Sequence, residues 1–441
     1  MGKPTREEIL NKVREAGVVG AGGAGFPAHR KLDCSVDRLI VNIAECEPLI
    51  CKDKEIARSF PERIVHGAEM VMQVTGARQS FFALKGKHAT LASVLKARLK
   101  SGMSVSLLDD YYPAGDEVLL TYDVTGRIVR EGKLPISEGV LVSNAETLYN
   151  ISLAMESQPV TEKFLTIAGA VKEPVTVKVP VGIVLRDLLD HFNIPSDGYV
   201  AFADGVMMGT LVEDSSLSIA KTTSGIVMLP EDHPLVSRRR RSENQDIRIV
   251  RSACDQCSYC TDYCPRYLLG HWVEPHRIMR TLSLSRETEY PDYARGCVEC
   301  NLCTLFACPE DLSPDIIMKA AKRQQAMNTQ RQSRGIHPMR EFRKVPSSRL
   351  IRRLSLESFD TEAPFAECNL KPHLVKVSLV QHTGTPALPE KKEGARVTRG
   401  ERVASPAKDA IGAPVHASIS GTITRITASD ITIERTEGSQ S

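Results

Sequence analysis

The sequence has no long apolar run: nothing in it approaches the roughly 18 residues that a bilayer-spanning helix needs. Its opening segment, MGKPTREEIL, lacks the apolar stretch of a secretory signal. A dominant charge is also missing. Lys and Arg number 57 against 54 for Asp and Glu, a formal net charge of +3, so nothing points to nucleic acid or an acidic membrane as the main partner. Hydrophobic residues make up 42% and charged residues 25%, as in ordinary folded proteins. Secreted, transmembrane, collagenous and wholly disordered readings fall away, leaving a cytoplasmic chain of 441 residues, enough for about three domains at ~150 residues each.

Cysteine is the informative residue. Of 12, eight fall between Cys254 and Cys308. A chain this long buries a core without disulfide staples, so in a reducing compartment such clusters read as metal ligands. The first group is Cys254-x2-Cys257-x2-Cys260-x3-Cys264-Pro265, and the second is Cys297-x2-Cys300-x2-Cys303-x4-Cys308-Pro309. Three thiolates two residues apart wrap one corner of an iron–sulfur cube, and the Cys-Pro cysteine ligates the other cube in two-cluster ferredoxins. The expected sets are therefore Cys254, Cys257, Cys260 and Cys308 on one [4Fe–4S] cluster, and Cys297, Cys300, Cys303 and Cys264 on the other. Zinc is the alternative, but zinc modules present two separated ligand pairs. The extra residue before Cys308 is expected as a tolerated bulge. Cys34, Cys46, Cys51 and Cys368 lack ligand spacing and read as buried thiols.

Along the chain, residues 6–17 carry Ile9, Leu10, Val13 and Ala16 at helical spacing, expected to pack on their own domain in preference to serving as a docking tag. Strand-like and helical runs alternate up to about residue 155, which argues an α/β domain over 1–158. Residues 159–236 read as a small α+β module of ubiquitin-like size. A solvated arginine run follows (SRRRRSE), then the helical cysteine region over 245–325, ending in IIMKAAKRQQAM. Residues 326–369 read as a basic, partly ordered linker, and 370–436 as an all-β domain of short strands and turns.

Gly20-Ala-Gly22-Gly23-Ala-Gly25 matches the dinucleotide fingerprint G-x-G-x-x-G, but a helix precedes it and too little chain follows for a crossover helix. A glycine loop still exposes N–H groups and lets a flat ring or phosphate approach, and Phe26, Pro27 and Lys31 add a stacking face, a rigid turn and a cation. Further motifs are Asn42-x-x-Glu45-Cys-Glu47-Pro48 with Lys52-Asp53, Tyr112-Pro-Ala-Gly115-Asp116-Glu117, and Asn144-Ala-Glu146-Thr147-Leu148.

Together these motifs resemble the flavin- and NADH-binding subunit of respiratory complex I and the C subunit of the Rnf electron-transport complex. Ala21 stands where that family's loop has arginine. The resemblance implies a β-grasp, soluble-ligand-binding module over 159–236 and, for the β-domain, the Rnf subunit's barrel-sandwich hybrid, here at the C-terminus. Two cysteine motifs are Rnf-like, since the complex I subunit holds a single cluster. The rearranged order and the length are similar to the cobalamin reductases of bacterial propanediol-utilisation microcompartments. The hairpin APVHASISG has no lysine for a lipoyl or biotin arm, so a docking or structural role is expected for the barrel.

FMN, two [4Fe–4S] clusters and NADH as donor are the implied cofactors. The sites implied are Gly20, Gly22, Gly23, Gly25, Phe26, Lys31, Asn42, Glu45, Glu47, Gly115, Glu117, Asn144, Glu146 and Thr147. Phe26 is expected against the nicotinamide or adenine, Lys31 and Asn42 at the flavin phosphate or ring edge, and Glu45 and Glu47 on the NADH side. NADH delivers electrons in pairs and clusters accept them singly; flavin does both, and no catalytic side chain is required. The resemblance alone implies cobalamin as acceptor in 1,2-propanediol degradation, residence inside a microcompartment, and a cobalamin adenosyltransferase and shell proteins as partners. His271, His276 and His373 read as ordinary histidines, not cobalt ligands. The alternatives are a soluble Rnf-like NADH dehydrogenase reducing ferredoxin or quinone, and a non-catalytic electron-transfer adaptor.

Overall fold

The computed structural model of the chain describes residues 4–284, 291–323 and 332–436. The helix Arg6–Glu15 starts at a capping box: the Thr5 hydroxyl accepts from the Glu8 amide, and the Glu8 carboxylate accepts from the Thr5 amide. Ile9 and Val13 are fully buried in the core of the first domain, so this amphipathic helix packs on its own chain.

The first domain contains β1 (Arg38–Asn42), β2 (Gln79–Lys85), β3 (Met103–Leu108), a short β4 (Tyr111–Tyr112) and β5 (Val140–Asn144). All but β4 form one parallel sheet in the order β3-β2-β1-β5. Both faces are covered, which is why Leu39–Val41 of β1 and Val140–Val142 of β5 are unbroken apolar runs. Helices Pro61–Thr75 and Ala145–Met155 close one face and Glu117–Thr125 the other. Gly67 lets the first two helices touch, since a Cβ there would collide with the Leu148 carbonyl. The winding reverses between β1 and β5, where Asn42 and Asn144 are paired at the carboxyl ends. Open α/β sheets bind ligands at such a switch point.

The second sheet contains β6 (Glu162–Gly169), β7 (Val175–Pro180), β8 (Tyr199–Ala203), β9 (Thr210–Val212) and β10 (Gly225–Pro230), in the order β7-β6-β10-β8-β9. Only β6 and β10 are parallel. Helix Leu185–His191 packs on this sheet through Leu185, Leu188 and Leu189. In the cysteine region, helices Glu243–Ala253, Pro275–Leu284 and Pro314–Arg323 surround Val250, Ile278, Ile317 and Met318. The end of the expected helix and the start of the expected linker fall in 324–331, outside the described residues.

Residues 332–369 differ from the loose linker expected of them. β11 (Val345–Pro346) pairs antiparallel with β4, setting Val345 opposite Tyr112. Helix Ser347–Arg353 follows, and Leu350, Leu354 and Leu356 are buried in a core shared with Tyr112, Phe202 and Leu305. The segment is a strap across three neighbours, so no single hydrophobic period runs through it. Its cations are paired, Arg340 with Asp123 and Lys344 with Asp109.

The C-terminal strands are β12 (Leu374–Ser378), β13 (Leu388–Pro389), β14 (Arg396–Val397), β15 (Arg402–Ser405), β16 (Val415–His416), β17 (Gly421–Ile426) and β18 (Asp430–Glu434). Two antiparallel sheets, β12-β18-β17-β14 and β13-β15-β16, enclose Val375, Val403, Ile423 and Ile433. None of the described helices is long and apolar enough to cross a membrane.

Candidate functional site

The glycine loop lies at the switch point. Val19 and Pro27 form a bridge, and the Gly20 amide donates to the Phe26 carbonyl at 2.9 Å, closing the loop. The Ala21 amide donates to Thr147 Oγ1 at 3.0 Å, and its carbonyl accepts from Lys163 Nζ at 3.4 Å. Gly22 lies on Asn144: a Cβ would stand 2.8 Å from Asn144 Nδ2. Gly23 faces open space, with nothing within 4 Å of where its Cβ would be. Gly25 adopts φ +67°, which favours glycine, and its carbonyl accepts from the Thr383 amide of the C-terminal domain at 3.2 Å. Phe26 is half-buried.

The Gly115–Glu117 turn faces this loop. Asn42 Nδ2 donates to the Gly115 carbonyl at 2.9 Å while Asn42 Oδ1 accepts from the Ala44 amide at 3.0 Å. A Cβ on Gly115 would stand 2.6 Å from the Ala44 carbonyl oxygen, so only glycine lets the turn reach β1. Asp116 caps helix Glu117–Thr125, accepting from the Val118 and Leu119 amides. Lys31 Nζ lies 2.9 Å from Glu117 Oε1, joining the loop's cation to the turn's acid, both partly exposed.

Beneath the loop is a buried ion network. Lys52 Nζ lies 2.9 Å from both Asp53 Oδ1 and Glu146 Oε2, and Lys163 pairs with the same Glu146 oxygen. Asn144 Nδ2 donates to Asp53 Oδ2 at 2.6 Å, and Glu45 Oε2 accepts from the Asp53 amide at 2.9 Å. Burial pushes Glu45 up to about 8, helped by the Asp53 carboxylate. Burial lowers the Lys163 ammonium to about 8 against the pull of Glu146. Glu146 stays below its ordinary value: burial opposes this, but Lys163 and Lys52 outweigh it. Glu47 is committed elsewhere, accepting from the Met207 and Met208 amides at 3.0 and 2.7 Å, and burial pushes it up to about 7.

Asn42, Asn144, Glu146 and Thr147 therefore brace the loop and its turn from behind, while Gly22, Gly23, Lys31 and Glu117 front the opening. Glu45, Cys46, Lys54, Lys85 and His88 help line a cavity of about 180 Å³ beside this opening, closed by Ser347 and Leu350 of the strap. The sequence motifs name Lys52 and Asp53 without giving them a role, and miss Lys163. Lys163 sits in a strand of another sheet, with no local signal, whereas Lys52 lay in plain view beside Asp53.

The two cysteine motifs fold as near copies. Gln256 and Ser258 flank Cys257 at φ +61° and +67°, and Glu299 and Asn301 flank Cys300 at +58° and +60°. Cys264 and Cys308 share an extended backbone, ψ 117° and 118°, before their prolines. The extra residue before Cys308 is absorbed in a π-helical turn, Cys303–Ala307, where the first motif has an α-turn, Tyr259–Asp262.

Among the described residues, no group of three His, Cys, Asp or Glu gathers as around a single ion. The thiols instead sort by mutual influence. Cys260 is raised by burial, then by Cys254, Cys257, Cys308 and lastly Cys264; Cys300 by burial, then by Cys264 and Cys297. Cys303 is raised by burial and by Asp315, then by Cys297, Cys300 and, more weakly, Cys260, so the two sets adjoin. Burial pushes the Cys264 thiol up to about 12, so loading iron there displaces a proton. Amide-to-sulfur contacts at 3.4 Å, Glu299 to Cys297 and Leu312 to Cys308, suit thiolates in a cluster. So does Arg266, whose buried Nε has no partner beside Cys264 and Cys297. The donor set fits iron–sulfur.

Two contacts join the flavin-type turn to the second set. The Tyr112 hydroxyl donates to the Cys300 carbonyl at 2.8 Å, and Arg266 Nη2 donates to Asp116 Oδ2 at 2.8 Å.

Comparison with known proteins finds family models over three parts of the chain. A family model described as the Nuo51 FMN-binding domain covers residues 13–153, a 4Fe-4S dicluster domain covers 253–313, and the RnfC barrel sandwich hybrid domain covers 355–439. Cobalamin reductase PduS of Salmonella typhimurium is 41% identical over 439 residues, 97% of each chain. The chain belongs to the cobalamin reductase PduS family. Within that family it is also similar to the Citrobacter freundii protein, 40% identical over 97% of each chain. The C subunit of the proton-translocating ferredoxin:NAD(+) oxidoreductase complex of Clostridium ljungdahlii is 32% identical over 270 residues, 59% of this chain and 56% of that one. As a PduS-family oxidoreductase with flavin and iron–sulfur domains, the chain agrees with the resemblance carried by its motifs. Of the three histidines set aside as cobalt ligands, His271 bonds to the Val129 carbonyl, His276 to Thr261 Oγ1, and His373 is exposed.

Proposed function

We propose that this chain carries electrons from NADH through FMN and two [4Fe–4S] clusters to cobalamin, reducing cob(III)alamin to cob(II)alamin and onward to cob(I)alamin. In this reading residues 1–158 hold FMN and NADH, 159–236 form a β-grasp module, 245–325 hold both clusters, and 370–436 form the barrel. The parallel β6/β10 centre of the second sheet supports the β-grasp assignment. The observation that carries the proposal is the direct join of the Gly115–Glu117 turn to the cysteine motifs through Tyr112 and Arg266. A flavin site without clusters has no use for that contact.

FMN, when bound, supplies the conversion of an electron pair into single electrons. The chain does the rest. The open face at Gly23 admits the flat ring or phosphate, and Lys31 supplies the cation beside it. Asn42 and Thr147 fix the turn and the loop, with Glu146 holding two ammonium groups out of water behind them. Crossed Cys sets hold the two clusters. The cobalamin acceptor rests on kinship with the PduS proteins, as do the microcompartment, adenosyltransferase and shell partners.

Anaerobic addition of NADH to the reconstituted protein tests the proposal, with cob(III)alamin and ferredoxin as competing acceptors. Prompt loss of the cob(III)alamin spectrum supports it. Reduction of ferredoxin alone supports the Rnf-like alternative. Flavin that stays oxidised under NADH leaves only an adaptor.

A further inference from the structure

The relay proposed above leaves open which cluster meets the flavin first and what biases electrons toward it. Arg266 bears on both. Its side chain is 11% exposed and ion-paired to Asp116, itself 13% exposed, on the flavin-facing turn. The residue lies two positions after Cys264, and its charge acts on Cys264 and, less than that of Lys322, on Cys297. Nη2 is spent on Asp116, while Nε is buried without a partner. A buried donor left unmade is destabilising, and cluster sulfur at Cys264 or Cys297 is an acceptor that would remove that cost. The matching position after Cys308 is Glu310, and the cations near that cysteine come from other segments: Arg238 acts on Cys308, and Arg353 Nη2 donates to its carbonyl at 3.3 Å, but neither is joined to the flavin-facing turn.

Resting on that reading, we propose that Arg266 is the positioning and potential-setting residue of the cluster held by Cys264, Cys297, Cys300 and Cys303, which makes that cluster the first of the two to be reduced. A buried guanidinium favours the more negative, reduced cluster, and hydrogen bonds to sulfur raise potential. The same residue ties the cluster to the turn at Asp116, and Tyr112 adds a second tie at Cys300. Cys257, in the other set, is exposed, which suits the exit end.

The test is an anaerobic redox titration of the full chain followed by electron paramagnetic resonance, with iron and sulfide counted first. In Arg266→Gln, the reduced-to-oxidised ratio of one cluster at fixed poise should fall roughly tenfold, about 59 mV for one electron, with the other unmoved. Arg266→Lys should recover part of the shift. Asp116→Asn, which keeps the helix cap but removes the opposing charge, should move the same cluster the opposite way. Cys257→Ala should retain the responsive signal and Cys297→Ala should lose it. The proposal is overturned if both clusters shift alike, if neither shifts, or if the responsive signal survives in Cys297→Ala. Should Arg266→Gln fail to load iron, the direction of the Asp116→Asn shift decides. A wild-type protein with fewer than two clusters sinks the underlying relay as well, and the iron count shows this before any potential is read.

Discussion

The Tyr112 hydroxyl donates to the backbone carbonyl of Cys300 across 188 residues of sequence, in a fully buried contact of 2.8 Å. It fastens the turn that carries Gly115 and Glu117 to the middle cysteine of the second motif. Removing the hydroxyl leaves that carbonyl without its donor, at a cost of about 1–3 kcal/mol. Tyr112→Phe should therefore keep FMN and iron but unfold at lower denaturant. Stopped-flow mixing with NADH should show flavin bleaching at the wild-type rate and cluster reduction slowed. Unchanged kinetics and stability would show the contact to be idle.

The crossed cysteine sets make a prediction that simple pairing does not. Cys264 and Cys297 belong to different motifs but to one proposed cluster, so the double variant Cys264→Ala with Cys297→Ala should keep about half of the iron and sulfide. Uncrossed motifs predict loss from both clusters and a nearly iron-free protein. Cys257→Ala alone should also lose about half, with the remaining signal being the one that the double variant removes.

Glu146 neutralises two buried ammonium groups, Lys52 and Lys163, both essentially without solvent contact. Glu146→Gln strands Lys163 and leaves Lys52 with Asp53 alone, and breaking such a pair costs about 3–5 kcal/mol. Because the folded Glu146 value is depressed, its contribution is present above the ordinary carboxylate range and is lost as pH falls through the folded value. Chemical denaturation should show a large loss at pH 7 that narrows on acidification. Lys163→Met, which leaves Lys52 paired, should cost less than Glu146→Gln.

What the sequence made legible was whatever its chemistry repeats locally. Thiol spacing marked the two cysteine motifs, where a 4Fe-4S dicluster domain matches, and alternating strands and helices announced the parallel sheet. The extra residue before Cys308 was visible as a count, and its π-helical turn is the form that count takes. Contacts made at long range were not legible. Lys163 comes to Glu146 from another sheet, and residues 332–369 hide their role because Val345, Leu350 and Leu356 bury into a core built with Tyr112, Phe202 and Leu305 from distant segments. Asn42 and Glu47, expected at the flavin and on the NADH side, spend their side chains on backbone amides or carbonyls of this chain.

Lys221 offers a test of how the C-terminal domain is held. Its ammonium is buried with no carboxylate partner among the described residues, donating to the Gly17 carbonyl at 2.8 Å and the Pro414 carbonyl at 3.0 Å. Three regions thus meet on one side chain, with the His416 ring close by, kept neutral by burial down to about 3. Burial lowers Lys221 to about 7. Between about pH 7 and 10 the unfolded chain then holds a proton that the folded chain does not, so stability rises with pH through that window. The slope is at most about 1.4 kcal/mol per pH unit. Lys221→Met removes this contribution, so the wild-type advantage in Tm over the variant should widen from pH 7 to 10. A constant difference across that range would mean that Lys221 stays charged, and that the two carbonyls alone hold it so.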